Sequence, residues 1–155
     1  MYKSRPDKDD YYLNIADTVL ARSTCLRRKY GAIIVKDDEI IASGYNGAPR
    51  GCRNCSATGR YPREELAIPH GERYELCRSV HAEANAIISA SRRDMIGATL
   101  YLAGRQAGNG FPVPDIAPCA MCRRLIINAG IERVITRDNE GKAHAIDVRD
   151  WKKEA

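Results

Sequence analysis

No apolar run in the 155 residues approaches the ~18 that a membrane-spanning helix needs. The opening stretch, Met1 to Asp10, is charged and lacks the apolar core of a secretory signal, so a cytoplasmic address is expected. There is no internal repeat and no low-complexity tail. Charge of one sign is barely in excess: 25 Lys and Arg against 20 Asp and Glu, a net charge of +5. That excess suits an anionic small molecule as well as nucleic acid, so it chooses no partner. What remains is 44% apolar and 29% charged residues, the composition of one ordinary globular domain over 1–155.

Cysteine is the residue in surplus. Six of them occur, at Cys25, Cys52, Cys55, Cys77, Cys119 and Cys122, and two pairs have C-x-x-C spacing. A reducing compartment disfavours structural disulfides, so clustered thiols there point to metal or to chemistry.

Apolar periodicity predicts a helix over Asp7 to Ser23, with Leu13, Ala16, Val19 and Leu20 on one face. Ala32-Ile33-Ile34-Val35 and Ile40 to Tyr45 flank Asp37-Asp38-Glu39 and read as a hairpin. Residues 46–78 are rich in Cys, Gly and Pro with little periodicity, an insertion that something must pin. A second helix is expected over His81 to Arg93, with Ala84, Ile87 and Ile88 inward. There follow a strand from Ala98 to Ala103, a Gly/Pro-rich loop from Gln106 to Ala117, a helix from Cys119 to Ala129 stopped by Gly130, and a strand from Ile131 to Thr136. Lys142 to Val148 is a weaker segment. This order argues for an α/β fold, a mixed sheet with helices on both faces.

His81-Ala82-Glu83 opens one of these helices and Pro118-Cys119-Ala120-Met121-Cys122 opens another. Cys119 and Cys122 share a helix face, and the positive end of the helix favours thiolate. Two thiolates and one imidazole make three zinc ligands with a fourth position open, the pattern of a catalytic zinc. Such a zinc brings the pKa of water from ~15.7 to about 7. Residues at i and i+2 of a regular helix point apart, so His81 must stand at the very start for Glu83 to reach the same place and act as a proton shuttle. H-x-E followed by P-C-x-x-C is a known zinc-deaminase signature. The bland alternative is a buried histidine, a surface glutamate and a structural or redox C-x-x-C.

Over Tyr11 to Thr136 the chain resembles the deoxycytidylate (dCMP) deaminase family, within the cytidine deaminase-like zinc deaminases. The resemblance rests on Arg22-Ser23-Thr24-Cys25, Gly31 to Val35, Gly44-Tyr45-Asn46-Gly47-Ala48-Pro49, His81 to Ile87, Pro118 to Cys122 and Leu125 to Ile131. The Gly-Tyr-Asn-Gly stretch and the long insertion after it mark the dCMP branch. The resemblance implies a three-layer α/β/α fold with a mixed five-stranded sheet. It implies hydrolysis of dCMP to dUMP and ammonia, with Glu83 moving protons to N3 and to the leaving amine and Asn46 bonding the sugar. Asn46 also reads as a turn residue with positive φ. Where the family runs quickly from strand to the Pro-Cys motif, Arg105 to Ala117 intervenes here and should border the base pocket.

Some members of the family hold a second, structural zinc that ties the insertion to the first helix. The resemblance places Cys25 and Cys55 among its ligands, with Cys77 and either Cys52 or His70 completing the set; four thiolates, Cys25, Cys52, Cys55 and Cys77, are preferred. Unlinked cysteines or a labile disulfide are the alternative. Arg27-Arg28-Lys29 and Arg123-Arg124 read as solvated faces, while Arg22 and Arg27 are the first arginines to test against a 5′-phosphate. Family members are commonly homo-oligomers, and many respond to dCTP and dTTP as effectors. Other readings are a polynucleotide deaminase acting on tRNA adenosine, another small-molecule base deaminase, and a non-enzymatic zinc-binding module. Membranes and nucleic acid are not expected partners.

Overall fold

The computed structural model describes residues 4–154. Five strands form one mixed sheet in the order β2-β1-β3-β4-β5, with β1 Arg28–Lys36, β2 Glu39–Tyr45, β3 Thr99–Gln106, β4 Arg133–Arg137 and β5 Ala143–Asp147. Only β3 and β4 run parallel, joined through helix α6 (Ala120–Ala129). The hairpin forms as the sequence predicts. Asp37 and Asp38 both have positive φ (51° and 62°), the two-residue turn whose twist matches the flanking strands.

Side chains alternate across β1, so its apolar run feeds two cores. Ile33 and Val35 pack with Tyr12, Leu13 and Ala16 of α1 (Lys8–Val19) on one face. Ala32 and Ile34 pack on the other with α4 (Ala82–Ile88), α5 (Arg92–Met95), α6 and α7 (Val148–Lys153). The result is the expected three-layer α/β/α arrangement. Burying a side chain such as Leu13 or Ile126 contributes about 1.5–3 kcal/mol each. Among the described residues no helix is long and apolar enough to cross a membrane.

Two glycines set how closely the helices approach. A Cβ on Gly31 would lie 2.2 Å from the Ala16 carbonyl oxygen of α1, and one on Gly44 would lie 2.4 Å from the Ala86 nitrogen of α4. Each helix backbone therefore rests directly on the sheet, and Gly44 fixes the height of the helix that carries His81 and Glu83.

Several elements differ from expectation. The helix expected over His81 to Arg93 breaks at Ser89 into α4 and α5, and Ser91 caps the second by accepting the Asp94 N–H. Ala82 and Ala86, not Ile88, face inward, and Ile88 is 70% exposed. Small residues are what the close approach to Gly44 admits. The insertion holds short helices α2 (Cys55–Thr58) and α3 (Pro62–Glu65), and paired bonds between Gly47 and Val80 close its two ends together. The weak segment at the end becomes β5, and α7 after it was not foreseen.

Candidate active site

His81 and Cys119 are each the residue just ahead of a helix, His81 before α4 and Cys119 before α6, both in extended conformation. This is the placement that the i, i+2 spacing of His81 and Glu83 demands. The two helix starts converge. His81 Nδ1 stands 3.5 Å from Cys119 Sγ and 3.4 Å from Cys122 Sγ. Tetrahedral zinc with bonds of about 2.0–2.1 Å to nitrogen and about 2.3 Å to sulfur separates such ligand atoms by about 3.6 Å, so the donor set fits that ion. This trio is the one group of three or more metal-ligand side chains, among the described residues, whose donor atoms lie within 4.8 Å of one another.

The electrostatics agree. Cys119 is pulled down to about 3, first by its hydrogen bond with Cys122 and then by His81. Cys122 is pushed up, first by its hydrogen bond with Cys119 and then by burial. The same Cys119 contact raises the His81 pKa against the opposing effect of burial. Glu83 is 5% exposed, and desolvation raises its pKa above the usual carboxylate range.

These groups open on a cavity of about 440 Å³. Its floor includes His81, Glu83, Cys119 and Asn46, and the Val113 to Ala117 stretch forms one wall. That wall belongs to the loop before Pro118, and it is braced at both ends. Arg105 makes a paired salt bridge to Asp17 of α1 at 2.6 and 3.0 Å. Asp115 and Asn139 exchange hydrogen bonds, each 2.8 Å, from Asp115 N–H to Asn139 Oδ1 and from Asn139 Nδ2 to Asp115 Oδ1. The brace holds Asp115 at φ 50°.

The insertion supplies another part of the lining: Tyr61, Arg63, His70 and Tyr74. Arg63 is 4% exposed and donates to the Pro69 and Glu72 carbonyls at 2.9 and 2.7 Å, which closes its loop. Its guanidinium lies over the Tyr74 ring, 4.8 Å from the centroid. Sequence reasoning missed Arg63 and Tyr74, because nothing periodic marks them. It placed His70 only as an alternative ligand of the second zinc, not at this cavity.

Other expected site residues fall differently. Asn46 lines the cavity and is buried, but not as a positive-φ turn residue. Its Oδ1 accepts from Ser23 Oγ at 2.5 Å and from Tyr30 N–H at 2.8 Å, while Nδ2 donates to the Arg28 carbonyl at 2.9 Å. Arg22 is exposed on the 3-10 turn Leu20–Arg22 and does not line the cavity. Arg27 does line it, together with Arg28, so that basic run is not the solvated face it resembled. Arg123 is half-buried, donating to the Pro118 carbonyl and lying over Trp151. Cys25, Cys52, Cys55 and Cys77 form no second group at ligand distance, and Cys52 is exposed. Cys25, Cys55 and Cys77 are neighbours all the same: burial raises the Cys55 thiol, and Cys25 and Cys77 add to it.

Comparison with known proteins gives the same picture. Residues 6–137 match the cytidine and deoxycytidylate deaminase zinc-binding region. Deoxycytidylate deaminase of Mycobacterium phage D29 is 43% identical over 136 residues, covering 85% of this chain and 95% of that protein. The deoxycytidylate deaminase of Schizosaccharomyces pombe is 34% identical over 131 residues, covering 84% of this chain, which spans only 37% of that longer protein. Among solved structures, dCMP deaminase from cyanophage S-TIM5 in complex with dCMP and dUMP superposes with a TM-score of 0.58 and 26% identity, covering 88% of this chain and 85% of that one. With both halves of the zinc motif meeting at two helix starts, and with relatives of this kind, the chain belongs to the cytidine and deoxycytidylate deaminase family.

Proposed function

We propose that this chain is a zinc-dependent hydrolase that converts dCMP to dUMP and ammonia. The observation that carries the reading is the triangle of His81, Cys119 and Cys122 with buried Glu83 beside it, all opening on one cavity. The 43% identity to a phage deoxycytidylate deaminase supports the choice of substrate. His81, Cys119 and Cys122 would hold a zinc ion, which would lower the pKa of a water to about 7 and so supply a nucleophile at neutral pH.

The chain's own residues do the rest. Glu83 accepts one proton of the attacking water and delivers it to N3 of the pyrimidine; it then takes the second proton from the oxygen now bonded to C4 and gives it to the amine as the C4–N bond breaks, which leaves dUMP and ammonia. Its raised pKa suits a carboxylate that must hold a proton and then release it. Asn46 spends one amide hydrogen on the Arg28 carbonyl, which leaves the other for the sugar. The braced 113–117 wall limits water around the base.

The reading extends to a second, structural zinc held by Cys25, Cys55 and Cys77 with Cys52 or His70 as the fourth ligand. Its support is the proximity of the first three thiols and the bond from Ser56 N–H to the Thr24 carbonyl, which ties the insertion beside Cys25. It extends also to a homo-oligomer in the cytoplasm that responds to dCTP and dTTP.

The test is a deamination panel read by absorbance on zinc-loaded protein, with dCMP, CMP, deoxycytidine, cytosine and tRNA side by side. dCMP is expected to be the best substrate. Absence of turnover on dCMP, or a preference for tRNA, contradicts the reading.

A further inference from the structure

Among the described residues, only two buried side-chain nitrogen or oxygen atoms lack a hydrogen-bond partner: Nε of Arg28 and Nε of Arg63. Both residues line the cavity that holds Glu83 and His81. A buried charged donor left unmade carries a standing cost, and two such donors around one cavity are not what folding alone would leave. They come from unrelated parts of the chain, Arg28 from the start of β1 and Arg63 from the insertion.

Neither arginine is neutralised. No ion pair among the described residues involves Arg27, Arg28 or Arg63, although exposed arginines such as Arg60 and Arg149 have carboxylate partners. Three guanidiniums thus border one cavity whose only carboxylates are Glu83 and the exposed Asp115. Arg63 is fixed in place, since its Nη2 already donates to the Pro69 and Glu72 carbonyls and its plane rests on Tyr74. A pre-positioned guanidinium edge of this kind suits a tetrahedral oxyanion, which offers several acceptors at once.

We infer that Arg28 and Arg63, with Arg27 beside them, form the subsite that takes the 5′-phosphate of the substrate. The insertion is thereby a specificity element: its arginine separates a nucleotide from a nucleoside. The phosphate satisfies both orphaned Nε groups and its charge balances the arginines. This inference rests on the proposed function and replaces Arg22, which lies outside the cavity, as the residue to examine.

Binding rather than turnover provides the test. Calorimetry on zinc-loaded protein compares dUMP, deoxyuridine and inorganic phosphate in the wild type and in Arg28→Gln and Arg63→Gln. dUMP is expected to bind at least ~100-fold more tightly than deoxyuridine. Each substitution should weaken dUMP by about 10–100-fold and so narrow the ratio of the two affinities. Inorganic phosphate should compete with dUMP and not with deoxyuridine. Arg28→Gln keeps the test decisive if loss of the Arg63 backbone bonds unfolds the insertion. Equal affinities in the wild type, or a loss shared equally by dUMP and deoxyuridine in Arg28→Gln, overturns the subsite. A chain that fails to deaminate dCMP yet binds dUMP through these arginines overturns the proposed function and leaves the subsite standing.

Discussion

The Tyr74 ring stands edge-on to the His81 imidazole, with centroids 5.4 Å apart and planes at 87°. A residue of the insertion thus packs against a residue of the zinc-binding motif. Arg63 lies over the same tyrosine ring, so guanidinium, phenol and imidazole form one packed series from the insertion to the triangle of His81, Cys119 and Cys122. The contact restricts the rotation of the imidazole.

Removing the ring should therefore loosen His81. Tyr74→Ala is expected to weaken zinc affinity about 2- to 10-fold, the loss of one aromatic pair worth about 0.5–1.5 kcal/mol. Tyr74→Phe keeps the edge contact and should stay near the wild type. Competition with a chromophoric chelator measures both.

Gly44→Ala tests whether α4 is set by the sheet beneath it. The added Cβ meets backbone atoms of Ala82, Asn85 and Ala86 at 2.9 Å or less, and backbone cannot swing aside. Overpacking of this kind costs about 1–3 kcal/mol. The expected result is a Tm lowered by roughly 2–12 °C, with a fall in kcat as His81 and Glu83 shift together.

The buried carboxylate of Glu83 predicts a pH-dependent stability. Its folded pKa lies above the unfolded value of about 4.3 because burial disfavours the charge. Between the two values the folded state holds a proton that the unfolded state has released, so stability falls as pH rises through the folded pKa. Metal-free Glu83→Gln should match the metal-free wild type near pH 4 and exceed it at pH 8. Denaturant melts at both pH values check the sign.

Metal counting tests the second zinc. Metal-replete protein should contain two zinc ions per chain, and Cys77→Ser should retain one and melt at lower temperature, since a closed zinc site contributes folding energy. One ion in replete wild type removes the structural site.

What the sequence disclosed and what it hid follow from range. His81, Glu83, Cys119 and Cys122 were legible because helix starts are local events, marked by Pro118 and by spacing within a single turn. The sheet was legible because β1 and β2 are adjacent in the chain. The direction of α4 was not: a three-four apolar spacing does not say which side carries the small residues, and only Gly44 across the interface decides that. Arg63 and Tyr74 were illegible because their roles arise from non-periodic chain folding back on a distant site. The second metal set remained open for the same reason, with Cys52 exposed and the other three thiols close.

The most direct test of the account is turnover of dCMP by zinc-loaded Glu83→Ala, with zinc content measured on the same sample. A general acid–base group contributes about 10²–10⁴-fold, and here one carboxylate serves several proton transfers. The account predicts kcat reduced by at least ~10³-fold with the catalytic zinc retained. Loss of that zinc, or turnover within tenfold of the wild type, would contradict the role given to Glu83.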